Sequence, residues 1–285
     1  MVKYRIAGEL SRAILRQLTL RENQGDTMGY TLQSACLSHI GSRRGNNEDN
    51  FFFNGLCMEE QHRGTHDPLL MERVLSEELC LGVFDGMGGE NYGEQASFAA
   101  AQALQAQAGK QKQFYQSGGK YLEGLTQALN SAVFHRAQEL MTSRMGTTMA
   151  LLFFSGNHVY ACNVGDSRIY RLRQCVFAQL SQDHVSDWTP APGRKAPLTQ
   201  HLGMDPEEVR IEPHIVKDVL QDGDVFLLCS DGLTDMVDNL TISQLLSQMD
   251  TPEQGAQALL KAALDGGGKD NITTIVCRVR ATTVG

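Results

Sequence analysis

Two strand-like runs, HVYACNV at 158–164 and SRIYRL at 167–172, are separated only by Gly165 and Asp166. Joining parallel strands takes a crossover of a dozen or more residues, usually a helix, so strands this close in sequence point to a largely antiparallel sheet and exclude a doubly wound fold. Further strands are predicted in YTLQSACLSHIG (30–41), LCLGVF (79–84), TTMALLFF (147–154), DVFLLCS (224–230) and ITTIVCRV (272–279), bounded by Gly, Asn or Asp. Helical spacing predicts helices in GEQASFAAAQALQAQ (93–107), in the run from Tyr121 to Met141, in TISQLLSQM (241–249) and in PEQGAQALLKAAL (252–264). Strands and helices of both kinds place the chain in the α+β class.

Two segments read as loops: 54–78, an apparent insertion, and 185–201, which carries three prolines. DVLQDGD (218–224) reads as a hairpin turn at Asp222-Gly223 rather than a calcium loop, because it lacks the terminal Glu. Residues 1–28 form a separate N-terminal extension, in which Lys3, Arg5, Arg12, Arg16 and Arg21 interleave with Ile6, Leu10, Ile14 and Leu18. That pattern is an extension or helix packed on the domain, with a membrane-surface or partner-binding helix as the alternative. The domain proper is expected over 29–285.

The seven cysteines form no C-x-x-C pair and several sit in apolar strands, the pattern of reduced thiols in a cytoplasmic protein. No run is apolar and long enough for a signal peptide core or a membrane span, so no stable membrane insertion is expected. A formal charge of −8 without a broad basic surface argues against nucleic acid as a partner. A monomer is expected.

The acidic charge has a pattern. Asp49 in NNEDN, Asp85 in FDGMGG, Asp166 in NVGDSR, Asp231 in CSDGL and Asp270 in GGKDNIT each stand at a strand end beside Gly or Asn. One such residue is a turn-former or a helix cap. Five that converged would repel one another and resist desolvation unless hard cations were bound among them. An all-oxygen donor set without a His or Cys cluster selects Mg²⁺ or Mn²⁺ over Zn²⁺. Gly86 would let the backbone approach such an ion with its carbonyl. Arg43 and Arg44, just before Glu48 and Asp49, add a guanidinium suited to holding a phosphate. Two metals about 3.5–4 Å apart could share one hydroxide and aim it at phosphorus, with no protein nucleophile needed.

Seven motifs in order, RRGNNED, DGMGG, GTT, NVGDSRIY, LSQDH, LLCSDGL and GGKDNIT, resemble those of the metal-dependent type 2C (PPM-type) serine/threonine protein phosphatases in a bacterial form, over about 30–280. The resemblance implies a four-layer sandwich of two packed antiparallel β-sheets flanked by α-helices on both outer faces. It implies that Asp85 bridges two Mg²⁺ or Mn²⁺ ions, that the Gly86 carbonyl serves the second, and that Asp231 and Asp270 complete the first. Asp49, with Glu48, would bind metal-held waters, Arg44 the phosphate, and Asp166 with Asp231 a third, weaker ion. Asn271 would orient its neighbours. Residues 185–201 occupy the place of the family's flap. Phosphorylated proteins would be the substrates, opposite a cognate serine/threonine kinase. Met87 stands where many eukaryotic relatives have His, so leaving-group protonation would fall to a metal-held water.

Three rival readings have discriminators. Cys162 to Arg168 satisfies the C-x5-R spacing of cysteine-dependent phosphatases, but that class needs a thiolate at a helix N-terminus, and here the flanks read as strands. A pseudophosphatase scaffold would be expected to lack a metal aspartate, and all are present. A metal-dependent phosphatase acting on a small molecule is separated from a protein phosphatase by the resemblance alone. The eight histidines show no pair at ligand spacing.

Overall fold

The computed structural model describes residues 28–87, 92–107, 118–188 and 195–283. The expectations for the N-terminal extension therefore lie outside the described residues, save that Met28 opens the first strand. Twelve strands are described: β1 (Met28–His39), β2 (Asp49–Phe52), β3 (Leu69–Val74), β4 (Leu79–Met87), β5 (Gly146–Thr147), β6 (Met149–Ser155), β7 (His158–Val164), β8 (Arg168–Arg173), β9 (Val176–Gln179), β10 (His214–Val219), β11 (Val225–Cys229) and β12 (Ile272–Thr283). The helices are α1 (Gly93–Gln107), α2 (Gly118–Glu139), α3 (Asp231–Thr234), α4 (Asn239–Gln248) and α5 (Pro252–Asp265).

Every pairing among these strands is antiparallel. One sheet runs β3-β1-β12-β11-β8-β9; the other runs β10-β7-β6-β4-β2, with β5 attached to β4. Both faces of the central strands are covered, which is why they read as continuous apolar runs rather than alternating ones. In β6, Ala150, Leu152 and Phe154 enter the core between the sheets, while Met149, Leu151 and Phe153 enter a second core against α1 and α2. In β11, Phe226 and Leu228 face the inter-sheet core, and Val225, Leu227 and Cys229 face a third core under α4 and α5. The four layers expected from the family resemblance are therefore helix, sheet, sheet, helix. Among the described residues no helix is long and apolar enough to cross a membrane.

Three expectations change. The runs 158–164 and 167–172 do not pair with each other: β7 and β8 belong to different sheets, and the chain crosses between them at Gly165, whose φ of +91° favours glycine. Likewise Asp222-Gly223 is a turn, with Gly223 at φ +79°, but it carries the chain from β10 in one sheet to β11 in the other instead of closing a hairpin. In both places a short connection, three residues after β7 and five after β10, suffices because the sheets lie face to face. Segment 54–78 is no simple loop either: it contains β3, an edge strand paired with β1 from Thr31↔Val74 to Cys36↔Leu69.

Candidate metal centre

Strand parity fixes where the acids point. Phe51 of β2 and Phe53 just after it, and Leu79, Leu81 and Val83 of β4, face the inter-sheet core; two residues from Phe51 and Val83 on the same faces stand Asp49 and Asp85, paired with each other across the ladder. At this end of the sandwich the apolar core gives way to oxygen. Ser230, following β11, donates to Asp49 Oδ2 (2.7 Å) and accepts from the Thr273 N–H (3.0 Å). Thr273 in turn donates to Ser38 Oγ (2.9 Å), which also accepts from Asn47 Nδ2 (3.0 Å).

Asp85 is held firmly. Its N–H donates to Thr148 Oγ1 (3.0 Å), and its carbonyl accepts from the Thr148 N–H and Thr147 Oγ1 (both 2.9 Å). Gly86 cannot be replaced without moving backbone: a Cβ there would lie 1.9 Å from the Gly93 carbonyl oxygen and 2.6 Å from that of Glu48. Gly93, the first residue of α1, is crowded in turn by the Glu48 side chain, 2.7 Å from a notional Cβ. Asp231 enters where β11 becomes α3, and Asp166 where the chain crosses between sheets. Asp270 precedes β12, and its neighbour Asn271 uses its whole amide: Oδ1 accepts from the Glu48 N–H (2.8 Å), and Nδ2 donates to the carbonyls of Ile40 and Asn46 (both 2.9 Å).

Glu48, Asp85, Asp166, Asp231 and Asp270 line one cleft of about 770 Å³, with Arg44 at its side and Asp49 buried next to Asp85. Burial pushes the carboxyls of Glu48, Asp49, Asp85, Asp166 and Asp231 up. Asp85 rises well above the usual range, through burial and the charges of Asp231, Asp49, Asp166 and Asp270. Burial lifts Asp49 to about 7 against the pull of its Ser230 hydrogen bond, and lifts Asp166 to about 6. Asp231 and Glu48 are raised too, burial being opposed by Lys195 and Arg44 respectively. Among the described residues two cations pair with these acids: Arg44 Nη2 lies 2.7 Å from Asp270 Oδ2 and Nη1 3.7 Å from Glu48 Oε2, while Lys195 bonds Asp231 and reaches Asp235 (2.6 Å).

Among the described residues no three His, Cys, Asp or Glu side chains converge, as they stand, to enclose a cation. Asp231 and Asp270 are instead turned to Lys195 and Arg44. The surroundings nonetheless fit hard divalent ions. Asp49 Oδ1 is a buried carboxylate oxygen with no hydrogen-bond partner; the donors are all oxygen; and the acids repel one another in a cleft where, among the described residues, they outnumber the lining cations Arg43, Arg44 and Lys195.

Lys195 is the site residue missed by sequence reasoning. It lies in 185–201, whose described ends form a short ribbon beside the cleft through the bridge Val185↔Leu198 and the bonds Ser186 N–H to Pro197 O (3.0 Å) and Thr199 N–H to His184 O (2.8 Å). A lysine between two prolines in an aperiodic segment gives no sequence signal of its destination. Cys162, by contrast, sits fully buried within β7, its thiol pushed up to about 12 by burial, so it offers no thiolate to a phosphate.

The sequence profile of the family described as protein phosphatase 2C matches residues 65–265. The serine/threonine protein phosphatase PstP of Mycobacterium tuberculosis is 34% identical over 220 residues, 73% of this chain, which spans only 42% of that relative's length. The serine/threonine phosphatase stp of Listeria monocytogenes is 32% identical over 211 residues, 68% of this chain and 82% of the relative. A crystal structure of the mycobacterial phosphatase PstP/Ppp superposes with a TM-score of 0.71 at 29% identity, covering 88% of this chain and 99% of that one. The PstP catalytic domain in complex with two manganese ions superposes with a TM-score of 0.67 at 30% identity, again over 88% of this chain and 99% of that one.

Proposed function

Because this chain belongs to the protein phosphatase 2C family, we propose that it is a divalent-metal-dependent phosphatase that hydrolyses phosphoserine and phosphothreonine in proteins. The observation that carries this reading is the convergence on one cleft of carboxylates from separate chain segments, with Asp49 Oδ1 buried and unpartnered beside them.

In this reading Asp85, Asp231, Asp270 and the Gly86 carbonyl hold two ions, Mg²⁺ or Mn²⁺, and Asp166 with Asp231 holds a third; the relative crystallised with two manganese ions supports the pair. When bound, such ions ionise water at neutral pH and withdraw charge from the phosphoryl oxygens. The rest falls to the protein. Asp49 Oδ1 and Glu48 accept hydrogen bonds from water in the cleft, and Ser230 keeps the Asp49 carboxylate oriented through Oδ2. Arg44 leaves Asp270 to grip the substrate phosphate with its planar guanidinium. Asn271 fixes the Glu48 backbone and with it the acid and arginine on that loop. Met87, beside Gly86, offers no proton to the leaving serine or threonine oxygen. The reading extends to a cytoplasmic monomer that opposes a cognate serine/threonine kinase.

The test is hydrolysis of phosphoserine, phosphothreonine and phosphotyrosine peptides under Mn²⁺ and Mg²⁺ titration, with EDTA as control. Metal-dependent release of phosphate from the first two is expected; release that persists in EDTA and is stopped by iodoacetamide would overturn the assignment.

A further inference from the structure

A second cleft, of about 780 Å³, lies next to the first and shares Met87 with it. Polar groups, among them His201, Asp205 and the exposed Arg144 and Glu208, line part of its wall, and the rest is apolar: Met87, Phe134 of α2, Met145, Met204 and Val209. Three of these are methionines, whose unbranched thioethers reshape to fit apolar groups of different form. The arrangement is held in place from beneath. Gly146 pairs with Met87 across β4 and β5, Thr147 bridges to Leu202, and Asn130 of α2 ties down the turn by accepting from the Gly203 N–H (2.7 Å) and donating to the Met204 carbonyl (2.9 Å).

We propose that this cleft receives an apolar side chain of the substrate polypeptide next to its phosphorylated residue, making Met204 and Phe134 specificity determinants; the proposal rests on the phosphatase reading above. Continuity decides the occupant. A phosphoresidue with its phosphate among Asp85, Asp166 and Asp231 places its flanking chain at the rim of that cleft, and Met87 lines both that cleft and the second one. An extended chain advances about 3.3 Å per residue, so a near neighbour of the phosphoresidue reaches over Met87. Burying half of a leucine-sized side chain there is worth about tenfold in binding.

The test compares phosphothreonine peptides carrying Leu, Gly or Asp at the positions flanking the phosphoresidue, with p-nitrophenyl phosphate as a substrate that has no flanking chain. For the wild-type protein the Leu peptide is expected to have a KM about tenfold below the Gly peptide and further below the Asp peptide. Met204→Asp should abolish the Leu advantage and leave p-nitrophenyl phosphate turnover unchanged, while Met204→Leu keeps both. Equal KM values for Leu and Gly peptides in the wild type, or a Leu advantage that survives in both Met204→Asp and Phe134→Ala, would overturn the proposal. If p-nitrophenyl phosphate is not hydrolysed with Mn²⁺, the phosphatase reading itself fails. Direct binding of the same peptides, followed by fluorescence anisotropy of a label on the peptide, then decides the cleft's role on the Leu-to-Gly ratio.

Discussion

Removing divalent metal should invert the usual effect of mild acid on this protein's stability. Asp49 is 1% exposed and its carboxyl is raised from 3.8 to about 7. A group with a raised folded-state pKa contributes stability that is fully present below the unfolded value and is lost as pH rises through the folded one. Between pH 8 and 6.5 the unfolded carboxyl stays ionised while the folded one takes up a proton, which stabilises the metal-free fold by about 0.8 kcal/mol. Asp85, raised by the same burial and by the same neighbours, adds in the same direction. For a chain of this size 1 kcal/mol corresponds to about 2–4 °C, so Tm in EDTA should climb by about 2–3 °C from Asp49 alone as pH falls from 8 to 6.5. Burial lowers His39, His62 and His184, whose unfolded forms begin to take up protons within this window and offset part of the gain, so the Asp49 contribution is read as the difference in slope between the wild type and Asp49→Asn. Thermal melts followed by circular dichroism in EDTA and in saturating Mn²⁺ provide the assay. With Mn²⁺ the carboxylates stay ionised, protons compete with the metal, and the slope should reverse. Asp49→Asn, which cannot titrate, should flatten the EDTA slope. A metal-free slope in the wild type no steeper than that of Asp49→Asn, or one that is alike with and without Mn²⁺, would refute the account of uncompensated carboxylates.

Asp85→Asn and Asp231→Asn should each cut turnover by several orders of magnitude and abolish the Mn²⁺-dependent rise in Tm; near-normal rates in either would remove that residue from the centre. Arg44→Ala is expected chiefly to raise KM, since the guanidinium would grip the phosphate before and during reaction, and an unchanged KM counts against the role. Gly86→Ala drives a methyl into two backbone carbonyls and should destabilise the fold by about 3 kcal/mol, seen as a lower denaturation midpoint; an unaltered midpoint would mean that the close approach of α1 to β4 can relax without loss.

Edge strands account for most of the secondary structure that the sequence did not reveal. β3, β9 and β10 are short and half exposed, with no alternation that persists for more than a few residues. Interior strands such as β6 and β11 were legible because both faces are buried, and helices α1 and α5 because their small and apolar residues recur at helical spacing.

What the chain's sequence determined by itself was local: where strands and helices form, which aspartates stand at strand ends, and, from the order of seven short motifs, the family. Tertiary structure decided which sheet each strand joins, because a strand buried on both faces carries no periodic mark of its partner, and the chain therefore crosses sheets at Gly165 and Gly223 where a hairpin was equally legible. It also decided that Lys195 meets Asp231, and that the inter-sheet core ends in a polar layer around Asp49. Charges and packing act through space, and residues 36 positions apart along the chain meet only after the two sheets have closed.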